Sequence, residues 1–531
     1  MRSIKNIGLL AAASLLCTFA NQNAFAEEAP NFVLIYIDDL GWDNTSVLMD
    51  RSISNELQSF YETPNIEKLA ARGMRFSNAY APASVCTPAR KSIQIGKSPV
   101  RLGYTYNGNP LNISKRKSWA NETSLADVLK GTNKNYITAL FGKGIHEPVS
   151  SFGYDVVDDQ HGTNDNQGNF FYNNGDTVGP DDLKQVFSLT EKSEKFIEKY
   201  AGKQPFFLML SHYTVHGPIT STAAGLKKYQ EKAAGLPKGD ARTSVKQQEM
   251  AAMIESMDIS VGRVLDALDK AGVRDKTYII FTSDNGGWVS VTPDLLRGKK
   301  GNLFEGGLRV PMIVAGPNIP ENSQCDVMLN HWDFLPTFHD LVGATKPLPE
   351  NLDGGSLRSI FEQGNEGQVI RPEEAFIFHM PYARMPPVTA IRSGKYKLIR
   401  QLNTGEEILF DMDKDLSEKN NLAKLMPEVA ARLSKELDAY LEKVGGEKID
   451  DVFDAQYKNI ASQMELIKAK HEKLIQQSGD DQTKISTLTK KRDKDLKRLQ
   501  DFKLQKIDPA RICTNFDGNP KGDYRKKSEA E

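Results

Sequence analysis

Cysteine is scarce in this chain, which limits how far disulfides can shape the fold. Only 4 of the 531 residues are cysteine, and Cys17 lies in an N-terminal leader. The remaining three cannot all pair with one another. Cys325 and Cys513 could form a disulfide in an oxidising compartment, which would leave Cys86 free, and nothing local in the sequence decides whether they do.

Net charge and long apolar runs are also scarce. Lys and Arg number 68 against 69 Asp and Glu, so the net charge of −1 does not support a general field that attracts nucleic acid. No apolar run of transmembrane length follows the leader, so we expect no membrane span in the mature chain. The sequence also contains no internal repeat.

The N-terminus has the parts of a secretory signal peptide, which we assign to residues 1–26. Arg2 and Lys5 give a basic start, residues 7–20 are apolar, and Ala24-Phe25-Ala26 offers a small-x-small cleavage site. The sequence therefore predicts an exported protein, periplasmic or secreted.

Apolar runs that end in polar residues alternate with helical stretches through most of the chain. The runs are 31–38, 135–142, 205–213 and 277–286, and the clearest helices are 182–200 and 247–271. Continuous apolar runs are typical of parallel strands that are buried on both faces. The alternation predicts an α/β domain over 27–370, in which helices sandwich a large, mainly parallel sheet.

The pattern changes after about residue 370. Residues 389–401 and 406–413 alternate like strands, and 426–444 has the spacing of an amphipathic helix. We expect a smaller α+β subdomain with an antiparallel sheet over 371–449.

Residues 450–531 form a tail with its own periodicity. Residues at steps of four and three mark one seam, and a less regular seam runs from Ile485 to Leu499; the first consists of Ile460, Met464, Ile467, His471 and Leu474. This spacing predicts an antiparallel helical hairpin, followed by a disordered end. The hairpin could pack on the body, shape a substrate cleft or join two subunits, so an oligomer formed through the tail stays open.

Reactive residue types end three of the apolar runs. Asp38-Asp39 ends the first, Asp284-Asn285 ends another, and His212 and His216 follow a third. Ligands collect beyond the carboxyl ends of strands in open α/β sheets. Adjacent carboxylates repel unless a cation holds them, and carboxylate and amide oxygens suit Ca²⁺ or Mg²⁺ better than zinc. Each pair alone could cap a helix or turn, but two such pairs favour a metal site.

One scarce thiol lies in the stretch SVCTPARKS, residues 84–92. Cys86 could be a small core residue, or a nucleophile whose pKa is lowered by Arg90 and a helix N-terminus. Neither explanation accounts for Pro88. The stretch C-T-P-A-R, 86–90, resembles the signature of the type I sulfatases, within the alkaline phosphatase superfamily.

Further motifs similar to those of this family follow in the expected order, over roughly 31–445. They are IYIDDLGWDN (35–44), LFGKGIHEP (140–148), HYTVHGP (212–218), FTSDNGG (281–287), RGKKGNLFEGGLRVP (297–311), IRSGKYKLI (391–399) and LFDMDKDLSEKNNLA (409–423). One departure is that Gly144 and Ile145 separate Lys143 from His146, where the family usually has one residue. The tail after about 450 is not covered by the resemblance.

The resemblance implies a sulfatase in which a maturation enzyme oxidises Cys86 to formylglycine, an aldehyde that hydrates to a geminal diol. It implies one Ca²⁺ per site, with Mg²⁺ the less expected ion, and the ligands would be Asp38, Asp39, Asp284, Asn285 and the modified residue 86. Asp284 would also take the proton of the attacking hydroxyl.

The resemblance also implies roles in anion binding and proton transfer. Arg90 would orient the diol, and Lys143 and Lys300 would contact sulfate oxygens. His216 would protonate the leaving alcohol, and His146 would take a proton from the second hydroxyl.

A signal peptide with such a site suggests that the substrate is a sulfated polysaccharide or oligosaccharide. The loops 158–176 and 378–387 are candidates for its recognition, through His161, His379 and Arg384. Two other functions stay open: a formylglycine-dependent phosphonate or phosphate-ester hydrolase, since these esters share shape and charge with sulfate esters, and a non-catalytic glycan-binding protein.

Overall fold

This computed structural model describes residues 29–504 with several internal gaps. The gaps are 54–55, 107–121, 133, 145–151, 159–181, 290–291, 293–294 and 382–386. The predicted signal peptide, the end of the tail and Cys513 therefore lie outside the described residues. So do three predicted site residues, His146, His161 and Arg384.

Strands and helices alternate along the chain, as the sequence predicts. The strands are β1 (Asn31–Ile37), β2 (Met74–Phe76), β3 (Ala79–Tyr80), β4 (Ile137–Gly142), β5 (Val156–Val157), β6 (Phe206–Ser211), β7 (Thr277–Ser283), β8 (Met312–Ala315), β9 (Ser323–Cys325), β10 (Leu329–Asn330), β11 (Phe376–Met380), β12 (Val388–Ser393), β13 (Tyr396–Gln401) and β14 (Glu407–Asp411). The α-helices are α1 (Pro64–Ala71), α2 (Cys86–Ile95), α3 (Leu125–Lys130), α4 (Val186–Tyr200), α5 (Ala223–Ala233), α6 (Val245–Lys270), α7 (Glu305–Leu308), α8 (Phe334–Leu341), α9 (Arg358–Gln363), α10 (Pro427–Val444), α11 (Ile449–Gln476) and α12 (Gln482–Leu504). The long helix α6 begins after Ser244, whose side chain accepts a hydrogen bond from Gln247 N and satisfies a donor that has no partner within the helix.

Eight strands form one large sheet in the order β5-β4-β6-β1-β7-β8-β2-β9. Among these described strands only β8 runs against the others, antiparallel to β7 and β2. Strand β1 lies in the interior between β6 and β7, where Tyr36 pairs with Ser211 and Ile37 with Ser283. The carboxyl ends of β1, β4, β6 and β7 therefore meet at one edge of the sheet.

Helices cover both faces of this sheet, which is why its central strands are apolar throughout. Val33 and Ile35 of β1 pack on the face covered by α4, α5 and α6, and Phe32 and Leu34 pack on the face covered by α3 and α8. Phe32 and Phe338 of α8 stack with ring centroids 4.3 Å apart. The predicted α/β class is confirmed.

A smaller antiparallel sheet follows, in the order β11-β12-β13-β14. One face carries α10, through contacts that include Ile391, Leu398 and Leu433. The other face packs on the body, where Phe378 and Tyr80 belong to one buried cluster. The prediction of a small antiparallel sheet after the α/β domain is confirmed.

Helices α11 and α12 form the predicted hairpin. They pack against each other, and His471 Nε2 lies 3.7 Å from Asp495 Oδ2 across the pair. At the base of the hairpin, Val452 is fully buried in the cluster that also contains Tyr80 and Leu303. None of the helices in the described part of the chain combines the length and apolarity that a membrane crossing needs.

Candidate active site

Two pairs of polar residues meet at the carboxyl ends of β1 and β7. Asp38-Asp39 follows β1 and Asp284-Asn285 follows β7, and all four residues are fully buried. Asp39 turns the chain with a φ of 65°, a conformation that few residues other than glycine adopt. Its backbone N donates to Asp284 Oδ1 at 3.1 Å, which fixes the two turns against each other.

Cys86 is the first residue of α2, after the extended residue Val85. Pro88 lies in the first turn of the helix, where backbone N–H groups have no partner within the helix, so its missing N–H costs nothing there. The thiol and one carboxylate oxygen each of Asp38 and Asp284 lie within 4.8 Å of one another. The N-terminus of α2 thus places residue 86 beside the Asp38 and Asp284 carboxylates, the position that the family resemblance implies.

Arg90 lies one helical turn after Cys86, on the same side of α2. Its Nε donates to Asp284 Oδ2 at 2.7 Å, and its Nη1 donates to Ser211 Oγ at 2.6 Å. Burial disfavours the charged guanidinium, but Asp284 and Asp38 outweigh burial and raise the pKa of Arg90. Arg90 therefore stays charged and ties α2 to the ends of β7 and β6.

Two lysines complete the charged cluster. Lys143 Nζ lies 2.5 Å from Asp38 Oδ2, and Lys300 Nζ lies 2.6 Å from Asp39 Oδ1. Burial raises the pKa of Asp38, but the charges of Lys143, His216 and Arg90 together outweigh burial and lower that pKa. Burial likewise lowers the pKa of Lys300, but the surrounding acidic groups, with Asp39 the strongest of them, together raise it. Three carboxylates, Asp38, Asp39 and Asp284, thus face three cations.

The two histidines after β6 have different surroundings. His216 Nε2 lies 3.8 Å from Asp39 Oδ2, while its Nδ1 lies 2.7 Å from Gly217 O and must carry a proton to donate to it. Burial lowers the pKa of His216. His212 instead lies in the core, with Nε2 at 2.9 Å from Ser260 Oγ, and burial lowers its pKa to about 3. Only His216 therefore reaches the charged cluster.

Two oxygens of the predicted ligand set are buried without a hydrogen-bond partner in the described part of the chain. They are Asp38 Oδ1 and Asn285 Oδ1. Buried polar atoms nearly always have a partner, so two such exceptions in one cluster indicate a group that binds there. Carboxylate and amide oxygens are the ligands that Ca²⁺ prefers. The residues present therefore fit a bound Ca²⁺.

A second buried charge cluster lies behind Lys300, and we call its members Tyr80, Glu305, Arg309, Lys397 and Glu418 the support network. Lys397 Nζ of β13 lies 2.8 Å from both Glu305 Oε1 and Glu418 Oε1. Tyr80 OH and Arg309 Nε each donate to Glu305 Oε2 at 2.8 Å. Glu305 N donates to Glu418 Oε2 at 2.7 Å. Each carboxylate oxygen of the network thus lies within 2.8 Å of a polar partner, and for Glu418 Oε1 this partner is the Lys397 ammonium, in an ion pair without hydrogen-bond geometry.

The support network holds the segment that carries Lys300 against the turn that follows β7. Gly286 N donates to Gly307 O, and Lys300 N donates to Gly287 O, each at 3.0 Å. A Cβ at Gly286 would collide with Gly306 O, so only glycine permits this approach. Glu305-Gly306-Gly307 therefore acts as a structural element.

Sequence reasoning missed Ser211 and Trp288 as members of the site. Ser211 accepts from Arg90, and Trp288 Nε1 donates to Asp39 Oδ2 at 2.5 Å. The pairing of β6 with β1 could have suggested Ser211, but nothing near Trp288 distinguishes it. His379 is buried, with Nε2 at 2.8 Å from Glu447 O, and burial lowers its pKa to about 4. Its role in substrate binding stays a prediction.

Two family models match the chain. The model described as Sulfatase matches residues 30–344, and the model described as N-sulphoglucosamine sulphohydrolase, C-terminal, matches residues 299–444. The chain belongs to the sulfatase family. The resemblance to the type I sulfatases is thereby confirmed, and the chain is a sulfuric ester hydrolase.

Several relatives extend over most of this sulfatase. A sulfatase of Formosa agariphila is 28% identical over 79% of this chain and 90% of its own length. Human N-acetylgalactosamine-6-sulfatase is 28% identical over 64% of this chain and 67% of its own length. The crystal structure of Ps i-CgsB in complex with k-i-k-neocarrahexaose covers 78% of this chain and 92% of that chain, with a TM-score of 0.60 and 24% identity, and shares the fold.

Proposed function

We propose that this sulfatase hydrolyses sulfate esters of exported or external carbohydrate polymers or oligomers, with a formylglycine made from Cys86 and one Ca²⁺ at its site. The observation that carries this proposal is the position of residue 86. Its side chain lies within 4.8 Å of the Asp38 and Asp284 oxygens, and Arg90 sits one turn further along α2. A buried thiol gains no stabilising contact from neighbouring carboxylates. A modified residue that is both nucleophile and metal ligand, in contrast, needs to lie beside the other ligands.

Each group of the chain has a task in this reaction. The hydrated aldehyde at residue 86 would supply one hydroxyl to attack sulfur; when the second hydroxyl loses its proton, the aldehyde C=O would re-form as the C–O bond to sulfate breaks. A Ca²⁺ held by Asp38, Asp39, Asp284 and Asn285 would supply polarisation of the S–O bonds. Arg90 orients residue 86, and Asp284 takes a proton from the attacking hydroxyl. Lys143 and Lys300 hold sulfate oxygens as negative charge builds on them.

Proton transfer to the leaving group is assigned to His216, whose Nε2 faces the charged cluster. The bond between sulfur and the bridging oxygen breaks, and that oxygen leaves as the alcohol with the proton from His216. His146 takes the proton of the second hydroxyl. It lies outside the described residues and follows Lys143 by three positions.

The charge balance of the site supports an anionic substrate. Among the described residues, Asp38, Asp39 and Asp284 offset Arg90, Lys143 and Lys300, and the partly buried Lys184 is a further cation within electrostatic range of Asp38 and Asp39. Occupancy by a divalent cation leaves the site net positive, and this excess favours a sulfate monoester over a neutral ester.

The carbohydrate substrate and the location come from further observations. A relative is named for an N-acetylgalactosamine sulfate and a structural neighbour holds a neocarrahexaose, so sulfated carbohydrate is the substrate class we assign. The signal-peptide pattern of residues 1–26 supports export to the periplasm or beyond. A formylglycine-generating maturase is the implied partner.

The first test is the mass of the peptide that contains residue 86, after co-expression with a maturase. Formylglycine is expected, seen as a mass below that of unmodified cysteine and trapped by an aldehyde reagent. Cys86→Ser should lower sulfate release at least about 10³-fold, because serine has no second hydroxyl to expel the sulfate. Cys325→Ala, at the other buried cysteine, should keep full kcat.

Normal turnover by Cys86→Ser would remove the proposal. Ion chromatography of the released anion separates the remaining alternative, since phosphate or phosphonate release in place of sulfate would favour the phosphonate or phosphate-ester hydrolase.

A further inference from the structure

The tail helix α12 is basic in a chain that is otherwise balanced. Residues 482–504 contain eight Lys and Arg against three Asp, whereas the whole chain carries a net charge of −1. The two family models end before the hairpin, at residues 344 and 444. The fold of the catalytic body therefore does not account for this charge.

Five of the six lysines of α12 are arranged as one stripe, which we call the lysine stripe. Its members are all exposed: Lys484, Lys490, Lys491, Lys494 and Lys497. At 3.6 residues per turn they fall within about 140° of the helix circumference and extend over about 20 Å. Ile485 and Leu488 lie on the other side and are partly buried in the hairpin. Among the described residues, none of the five lysines forms an ion pair with a carboxylate.

The stripe lies on the outer part of the hairpin, away from its base. The pair His471–Asp495 sets the middle of α12 beside the outer half of α11. His471 is about 30 Å along α11 from the helix start, at 1.5 Å per residue. The base itself is held next to Leu303, three residues after Lys300. A ligand that reaches both the stripe and the active site must therefore be a polymer tens of ångströms long.

We infer that the lysine stripe binds sulfated polysaccharide and holds the polymer beside the active site. Five ammonium groups on one helix face, without an ion pair among the described side chains, complement a repeating row of sulfate groups, and lysine binds such groups as a flexible point charge without a fixed geometry. The identity of this polyanion rests on the proposed function. The stripe adds polymer affinity to that function and takes no part in the chemistry.

The experiment compares four forms of the full chain, the wild type and three variants, by affinity electrophoresis in gels that contain dextran sulfate. The test variant replaces Lys490, Lys491, Lys494 and Lys497 by Gln. The control variant replaces four exposed lysines of the body by Gln, at Lys238, Lys246, Lys270 and Lys424. Gln has a helix propensity close to that of Lys, so α12 should persist, which circular dichroism checks.

The test variant should bind dextran sulfate at least about tenfold more weakly at low salt, and the control variant should lose less than about twofold. Replacing the same four stripe lysines by Arg should restore binding, and added salt should weaken binding of the wild type. Hydrolysis of a small aryl sulfate should be the same in all forms, because such a substrate cannot reach the stripe.

Equal binding by the test variant and the wild type would overturn the inference, as would an equal loss in the control variant. Tighter binding of a DNA duplex than of dextran sulfate, lost in the same test variant, would overturn the assignment to a glycan. Absence of aryl sulfate hydrolysis in the wild type counts against the proposed function and leaves the binding comparison intact.

Discussion

Two clusters of buried charge lie side by side in this sulfatase, and they differ in whether their polar atoms have partners. In the support network, Lys397, Arg309 and Tyr80 contact the Glu305 carboxylate at 2.8 Å. In the cluster around residue 86, Asp38 Oδ1 has no hydrogen bond, and Arg90 Nη2 lies 3.9 Å from it.

The difference separates structural charge from functional charge. In a closed network every carboxylate oxygen already has a partner, so its interactions serve to fix the small sheet against β3 and α7. In an open cluster, buried oxygens without partners lower the free energy of unfolding. They remain buried because the surrounding fold holds them in place. Breaking the first cluster should therefore affect stability, whereas filling the second should increase it.

Lys397→Met should have the largest effect on stability in this comparison. The change leaves Glu305 and Glu418 buried without their shared cation, and we expect a loss of about 3–5 kcal/mol in the free energy of unfolding. Denaturant unfolding measures it. Lys395→Met is the matched control, because Lys395 is two residues away, exposed and 3.5 Å from Asp411 Oδ2. Its cost should be below about 1 kcal/mol.

A loss of less than about 1 kcal/mol in the free energy of unfolding of Lys397→Met would show that the network does not hold the small sheet against β3 and α7. Retention of the same stability in both variants would contradict the contrast we draw between closed and open clusters.

Addition of Ca²⁺ should have an intermediate effect, in the opposite direction. A ligand that binds only the folded state stabilises it by about 2.7 kcal/mol at a free concentration one hundred times its Kd. We expect Ca²⁺ to raise the Tm of the wild type after dialysis against a chelator. Asp38→Asn should lose most of that increase in Tm, because the substitution makes the side chain a weaker Ca²⁺ ligand at a position where one oxygen has no hydrogen bond.

Lys397→Met serves as the control for the metal, since it should start from a lower Tm and still respond to Ca²⁺. An increase in Asp38→Asn equal to that of the wild type would place the ion elsewhere.

The smallest expected effect is on pH dependence: the loss in the free energy of unfolding caused by Lys397→Met should change with pH. Burial raises the pKa of Glu305, but Lys397 and Arg309 outweigh it and lower that pKa from 4.5 to about 2, so its contribution is present above pH 4.5 and lost as the pH falls from there. Burial raises the pKa of Glu418 to about 7. Without Lys397 both carboxyls take up protons at higher pH, which removes the unpaired charge.

The difference in unfolding free energy between the wild type and Lys397→Met should therefore shrink as the pH falls from 7 to 4, by up to about 1.4 kcal/mol per pH unit for each group. Denaturant unfolding at three or four pH values measures it. A difference that stays constant or grows toward acid pH would show that the two carboxyls are not the groups exposed by the change.

The large sheet and three of its polar strand ends could be predicted because burial on both faces leaves a strong signal. The apolar run before Asp38 and the one before Asp284 are the strands β1 and β7, and they are neighbours. The hairpin was predictable for a similar reason, because its seam repeats every three or four residues. Their signals are local in the sequence.

Features that depend on long-range packing were not predictable. Strand β8 is short and fully buried, so nothing in residues 312–315 shows that it runs against β7. Trp288 reaches Asp39 from a loop, and Lys397 pairs with Glu305 across 92 residues of chain. Single residues of this kind acquire partners only when two distant segments pack together.

The burial of α2 has a consequence for how the enzyme is made. All ten residues from Cys86 to Ile95 are buried, and Cys86 is 5% exposed. A modifying enzyme cannot enclose this stretch once Arg90 has joined it to β6 and β7. The conversion we propose must therefore take place on the nascent or unfolded chain, and a molecule that folds before it is modified retains its cysteine. The fraction of active molecules then depends on the rate of modification relative to the rate of folding.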